Sequence, residues 1–375
     1  MWRSWLPQIA VLLALLLLAD WLAGNMTDNL HRRGIMVGFD FLGRAARFPI
    51  SESILAYSPT NSFGWAFLVG LGNTLFISLI VIFTGTLLGL FVGLARRSQH
   101  PLASALGSIF VDITRNTPLV VQLLFWYAMV TFGLPRSAEA GNPISGVYLT
   151  DRGLYLPRIG IEGPAWPFLQ TLLIGIAASI AASAYGRLKR VRTGVAHRYG
   201  RIATVLTATA ATLVWIVSDL SLSAHYPVLG RFNFGGGMTL TPEFVAVVLG
   251  LVLYSAAFIG EIIRGGIDAV PKGQWEAGRS IGLSERHTLR LIVAPQALRV
   301  IIPPMTSQYI NIIKNSTLAL VVGYPELSFV TATMINQTGQ AIEGILVLML
   351  VFLSISAGAS LLMNWYNRRI ALVER

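Results

Sequence analysis

The stretch from Ala66 to Ala95, AFLVGLGNTLFISLIVIFTGTLLGLFVGLA, runs for 30 residues without a charged side chain. As a helix it would span about 45 Å, more than the ~30 Å hydrocarbon core of a bilayer. Barrel strands alternate apolar and polar residues rather than running solid, so the stretch reads as a membrane-spanning helix. The whole chain agrees: 54% of its 375 residues are hydrophobic and 12% are charged, against roughly 25% charged in soluble domains. A water-soluble enzyme is thereby excluded. With no cysteine present, disulfides, thiolate metal sites and cysteine nucleophiles are excluded as well.

Seven further apolar stretches accompany it: Leu6–Ala23, Pro118–Leu134, Trp166–Tyr185, Ile202–Ser221, Pro242–Ile263, Val300–Val322 and Ala341–Tyr366. The expected fold is an all-α integral membrane protein of about eight transmembrane helices. An even number of spans puts both termini on one side. That side collects Arg3, Arg96, Arg97, Arg115, the runs Arg187–Arg201 and Arg264–Arg299, and Arg368, Arg369 and Arg375, more than twice the basic residues of the other. Positive loops stay cytoplasmic, so both termini are expected inside, with Gly24–Trp65 and Pro135–Ala165 outside as an ordered cap. The run Arg187–Arg201 could be read as a nucleic-acid or lipid patch, but a short loop between two spans is most economically a topogenic signal. The net charge of +11 therefore implies no nucleic acid. The first span, too long for a signal-peptide core and lacking an A-x-A site, reads as a retained anchor.

Catalytic motifs are missing. No G-x-x-x-x-G-K-[ST] loop precedes Lys189, Lys272 or Lys314, so ATP hydrolysis by this chain is not expected. His31, His100, His197, His225 and His287 are isolated, without H-E-x-x-H or another metal-ligand spacing, and no G-x-S-x-G elbow occurs. A membrane-embedded transferase or protease would need a nucleophile and base that the sequence lacks.

Charge inside a span is costly, and Asp219, Glu261, Lys314 and Glu343 are candidates for function on that ground. Lys314 sits well inside the seventh span beside Asn311, Asn315, Ser316 and Thr317. On a helix Asn311, Lys314 and Asn315 share one face. Lipid cannot satisfy such a stripe, so it should face protein or a wet cavity. A zwitterionic solute crossing a membrane needs a donor for its anionic group and an acceptor for its cationic one. Lys314 with Asn315 offers the first and Glu261 the second, while Arg115 and Gln122 flank the helix break expected at Pro118. In the competing reading Lys314 pairs with Glu261 and only locks two helices.

Between the sixth and seventh spans, Gly265–Pro295 is the least membrane-like stretch. It reads as helix, turn, helix: Gln274–Ile281, a C-terminal cap at Gly282, and Ser284 capping the next helix. The spacing Glu276-Ala277-Gly278, then Gly282, then nine residues to Ile292-Val-Ala-Pro295 resembles the E-A-A-x-x-x-G-x9-I-x-L-P loop of ABC importer membrane subunits. Gly278 replaces the second Ala of that pattern and Ala294 its Leu. The segments Gly72–Leu75, Arg115–Leu123, Phe258–Gly266, Pro295–Pro304 and Lys314–Leu318 resemble the polar amino-acid permeases of this class, the histidine/glutamine permease family. The extra first span, the inserted pair between Trp166 and Ser221, and the tail Asn364–Arg369 resemble the general L-amino-acid transporter permeases of Gram-negative bacteria.

This resemblance implies a type I ABC importer permease core of five spans, in 66–134 and 242–375. Three extra spans lie in 1–65 and 135–241. It implies a bacterial inner-membrane protein in a heterodimer with a second related permease, served by two cytoplasmic ATPase subunits and a periplasmic amino-acid-binding protein. No cofactor is expected on this chain, since ATP and Mg²⁺ would sit on the ATPases. Coupling would run through 265–295, with Trp275, Glu276, Ala277, Gly278, Arg279, Ser280, Ile281, Gly282 and Leu283 as the docking plug. An ion-coupled secondary amino-acid transporter acting through Glu261 and Lys314 is the alternative, and it gives no reason for the helical loop.

Overall fold

A computed structural model describes residues 2–32, 38–139, 146–195, 198–231 and 233–370; Arg33, His197 and Arg375 lie outside them. Twelve α-helices form among the described residues: α1 (Trp2–Arg32), α2 (Phe63–Arg96), α3 (Pro101–Asn116), α4 (Leu119–Gly133), α5 (Ala165–Thr193), α6 (Tyr199–Val217), α7 (Pro242–Asp268), α8 (Lys272–Ser280), α9 (Glu285–Thr288), α10 (Ala294–Asn315), α11 (Leu327–Thr338) and α12 (Ala341–Ile370). Met1–Gly133 with Thr241–Arg375 forms one compact unit, and Leu134–Leu240 forms a second.

All eight apolar stretches fall on helices, but not all as simple spans. Six segments are long and apolar enough to cross a membrane: Pro7–Met26, Phe63–Arg96, Ala165–Arg190, Tyr199–Val217, Pro242–Asp268 and Ala341–Leu361. The segment Glu285–Val322 qualifies only together with α11, from which it is bent by 52°. The stretch expected as Pro118–Leu134 is a 15-residue helix, short for a span. The helix before it, missed in the sequence, is α3. At the junction Thr117 is extended with ψ 127°, as the residue before a proline prefers, so one continuous helix cannot form there.

The first unit is built on α2 against α7. Gly85, Gly89 and Gly93 recur every four residues on α2, one face of the helix. A Cβ on Gly89 would stand 2.6 Å from Ile259 Cγ2, and one on Gly93 2.7 Å from the Gly260 carbonyl oxygen. Only glycine permits this approach, which substitutes dispersion contact for the hydrophobic drive that lipid does not supply. One end of the pair is fastened by the segment 38–62. There Phe41, Ala46 and Phe48 pack with Phe63, Ala66, Val330 and Met334 into one buried cluster. Asn73 on α2 ties this cap down, donating 2.8 Å hydrogen bonds from its amide to the Glu52 and Pro325 carbonyls. The cap expected over Gly24–Trp65 therefore begins later, because α1 continues to Arg32.

In the second unit, α5 and α6 form an antiparallel hairpin whose flanks pair as strands. β1 (Tyr148–Thr150), β2 (Gly153–Leu156), β3 (Arg158–Glu162), β4 (Ser221–His225), β5 (Val228–Leu229), β6 (Phe234–Gly235) and β7 (Met238–Leu240) form three small antiparallel sheets. β3 enters α5 and β4 leaves α6, paired from Arg158–His225 to Glu162–Ser221. Ser221, expected to end a span, instead opens β4. The buried Tyr155 donates to Asn233 Oδ1 at 2.6 Å, and Phe234 stacks on Tyr148 at 4.2 Å.

Candidate coupling knob and translocation path

The knob is built by local rules. Pro271 is the N-cap of α8, where a missing N–H costs nothing, and Gly282 ends the helix at φ 79°. The Gly282 N–H donates to the Arg279 carbonyl at 2.9 Å, and the Leu283 N–H to the Gly278 carbonyl at 3.1 Å. That pair is the Schellman arrangement, in which a left-handed glycine satisfies the last carbonyls of a helix. Ser284 has the extended backbone of an N-cap, but its Oγ contacts His287 Nδ1 at 2.7 Å and makes no side-chain bond to the backbone of α9. α9 does not stop. A π-helical turn, Leu289–Val293, joins it to α10, so one helical path leads from the knob into the seventh span. This places the start of α10 at Ala294, six residues before the expected boundary.

α8 lies across α9 at Gly278, which is buried, and a Cβ there would meet Thr288 Cγ2 at 2.5 Å. The glycine that departs from the family pattern thus answers a threonine ten residues on. Gln296 Nε2 reaches Gln274 Oε1 at 3.0 Å and ties α8 to α10. Trp275 is half-buried, with the Arg97 guanidinium 4.9 Å over its ring. Ile281 is 73% exposed. Glu276, Ala277, Arg279, Ser280 and Gly282 are exposed as well, and Leu283 is half-buried.

Where the knob meets the spans, charges interlock. Glu261 is held by both Arg96 and Arg264, and Asp268 takes Arg97 and Arg264, each at 2.9 Å. A cavity of about 490 Å³ beside them is bordered by Arg97, Asp268, Trp275, Glu276, Arg279 and Glu285. Sequence reasoning missed Arg96 and Arg97, which pair across 165 and 171 positions, and also the local Arg264 pairs with Glu261 and Asp268.

The six path candidates divide into two groups. Arg115, at the end of α3, lies 5.1 Å over the Phe258 ring of α7. Gln122 donates to the Thr114 and Thr117 carbonyls at 2.8 and 2.9 Å and so bridges the Pro118 break. Glu261 sits in the arginine clamp. Asn311, Lys314 and Asn315 share the far end of α10, the first two exposed and the third half-buried. The Lys314–Glu261 pair is not made: among the described residues the Lys314 ammonium has no ion-pair or hydrogen-bond partner, while two guanidinium groups already take Glu261. Glu343 is structural, its carboxylate accepting from the Gly38 N–H at 2.9 Å. Among the described residues no group of three His, Asp or Glu could hold a metal ion.

The model of one family, the binding-protein-dependent transport system inner membrane component, matches residues 85–372. The chain belongs to this family. Members are translocation subunits, and ATP is hydrolysed by a separate subunit. Over its full length the chain is 44% identical to YhdX of Escherichia coli K12, covering 95% of that protein, whose own description as an amino-acid ABC transporter permease is provisional. It is 40% identical, again over its full length and 94% of the relative, to the general L-amino acid transport system permease protein AapQ of Rhizobium johnstonii. The crystal structure of an amino acid ABC transporter with histidines superposes with a TM-score of 0.50 at 20% identity, covering 82% of this chain and 95% of that one, which shows the fold. As an inner-membrane component with several apolar helices, the chain is a multi-pass protein of the inner membrane.

Proposed function

We propose that this permease carries L-amino acids from periplasm to cytoplasm as one half of a heterodimer with a related permease, driven by two ATPase subunits that dock on the knob and fed by a periplasmic binding protein. The observation that carries the reading is the knob. The glycine-capped α8 and the short α9 turn the small or exposed residues Glu276, Ala277, Ser280 and Ile281 outward, while Trp275, Gly278 and Gln274 tie α8 inward. An apolar residue such as Ile281, held exposed on a rigid mount, is what a partner's cleft can take. The charge distribution supports a cytoplasmic knob and cytoplasmic termini, with 38–62 and the strands of 135–165 outside. AapQ, by its name, serves general L-amino acids, which supports that cargo.

In this reading, closure of the ATPases moves α8 and α9, and the continuous path through the π turn moves α10. Asn311, Lys314 and Asn315 supply donors to a substrate carboxylate at an exposed face that the second permease covers. Arg115, Gln122 and Glu261 line the end near the Pro118 break. The ion-coupled alternative finds no support: Glu261 is already held by Arg96 and Arg264, and Lys314 makes no pair with it.

Affinity purification of the intact complex, with its chains identified by mass spectrometry, tests the assembly; recovery of the chain alone or with a second copy of itself overturns the heterodimer. Gly282→Val, which forces a β-branched residue to φ 79°, tests the coupling. Membrane insertion should persist while substrate-stimulated ATP hydrolysis falls. Normal stimulation would refute the docking role.

A further inference from the structure

The α5–α6 hairpin of the second unit carries a feature that translocation does not use. Near the turn, Arg187 and Arg190 at the end of α5 and Arg198 and Arg201 at the start of α6 rim a cavity of about 390 Å³ whose floor holds Gly186 and Gly200. An adjoining groove of about 520 Å³ runs along the hairpin between Ile176, Ile180 and Ala184 of α5 and Thr204 and Thr207 of α6. The two share Ser183 and Arg187. On α5, positions 176, 180, 183, 187 and 190 recur every three or four residues and so form one stripe, apolar at one end and basic at the other.

The mouth is preformed. A Cβ on Gly200 would stand 2.0 Å from Ser183 Oγ, so the helices touch at the floor. Beyond that contact Lys189 Nζ donates to the Tyr199 hydroxyl at 2.9 Å, and Tyr185 lies 5.8 Å from the Tyr199 ring. Among the described residues the four guanidinium groups have no carboxylate partner. Their charge is therefore available. The segments long enough to span are Ala165–Arg190 and Tyr199–Val217, which sets the arginines at the level of lipid headgroups and the groove at the level of acyl chains.

We propose that the hairpin holds one anionic phospholipid, its phosphodiester among Arg187, Arg190, Arg198 and Arg201 and one acyl chain in the groove along Ile176 and Ile180. Basic pockets at the ends of spans recognise such headgroups, and a guanidinium fork matches two phosphate oxygens at once. A zwitterionic lipid offers the same phosphate beside a cation that the arginines repel.

The test is native mass spectrometry of the full chain, released from nanodiscs of mixed phosphatidylglycerol and phosphatidylcholine. The wild type should retain one phosphatidylglycerol under activation that strips phosphatidylcholine, and excess inorganic phosphate should not displace it. Arg187→Gln with Arg201→Gln should lower its affinity about thirtyfold, while Lys189, Arg190, Arg192 and Arg198 preserve the topogenic charge. Arg187→Lys with Arg201→Lys should keep most of the binding. The charge-matched pair Arg152→Gln with Arg158→Gln should leave it unchanged, and Ile180→Trp should weaken it with every charge in place. Equal retention of phosphatidylcholine, an equal effect of the charge-matched pair, or displacement by inorganic phosphate would overturn the proposal. So would an Ile180→Trp chain that keeps its lipid but loses a partner subunit, since a protein helix would then be the occupant of the groove.

Discussion

Gly278 and Thr288 explain each other, and neither could be understood from the sequence alone. Alanine is the better helix former by up to about 1 kcal/mol, so at 278 its absence looks like a defect until the 2.5 Å approach to Thr288 Cγ2 is seen. Gly278→Ala is expected to destabilise the knob by about 1–3 kcal/mol through overpacking. Thr288→Ala in the same chain should return it to wild-type stability or above, as read by limited proteolysis and by substrate-stimulated ATPase activity. A single variant as protease-resistant as the wild type would remove this account. Glu52 offers a second residue-level test. Burial raises its carboxyl above the ordinary value, against the lowering effect of the Thr241 hydroxyl that donates to it at 2.7 Å. A raised folded value means that the folded cap holds the proton more tightly than the unfolded chain does. Stability from this group is therefore full below the ordinary carboxylate range and is lost as pH rises through the raised value. Glu52→Gln should flatten the dependence of Tm on pH across that window and leave the variant no less stable than the wild type at neutral pH.

At the scale of elements, the apolar runs were legible because lipid admits few side chains, and all eight became helical. Pro118 marked one break in advance; the runs could not reveal the helix before it or the bend before α11. α3 has an apolar face on one side only and escapes a search for solid runs, and the 12-residue α11 is too short to stand out. The strands of the second unit are two to five residues long, below the length at which alternation speaks. The start of α11 rests on Glu326, which is fully buried and accepts from the Ser328 and Phe329 N–H groups at 2.8 Å each. Thr74 of α2 accepts the N–H of Leu327, just before them, at 3.0 Å. Nothing local marks Glu326 as a cap rather than a loop acid. Glu326→Ala would leave two buried donors unpaired and should cost about 1–2 kcal/mol, seen as a lower Tm in detergent, while Glu326→Asp should recover much of it. An unchanged Tm for the alanine variant would show that the bend does not depend on this cap.

For the whole molecule, the knob was legible in its spacing, but the charge lock beneath it and the isolation of Lys314 needed the third dimension. The exposed stripe of Asn311 and Lys314 gives a prediction at this scale. Lys314→Met should assemble and hydrolyse ATP while transport falls about ten- to a hundredfold, the range for losing one charge-assisted hydrogen bond; failure to assemble would make the residue structural, and unchanged transport would sink both roles. The cysteine-free chain allows sidedness to be read by single-cysteine labelling: Ser51→Cys should react from the periplasm and Ser280→Cys only from the cytoplasm, and the reverse would invert the topology. The turn Leu289–Val293 has a bearing on both ends of this arrangement. Its Ala294 N–H reaches back to the Leu289 carbonyl, five residues instead of the usual four, so it holds one residue more than an α-helical turn. One residue is about 100° of rotation about the helix axis. The turn therefore sets the angular phase between the exposed face of the knob and the polar stripe, like a keyway cut into a shaft. Deleting a single residue within it would leave both surfaces intact and point them in different directions.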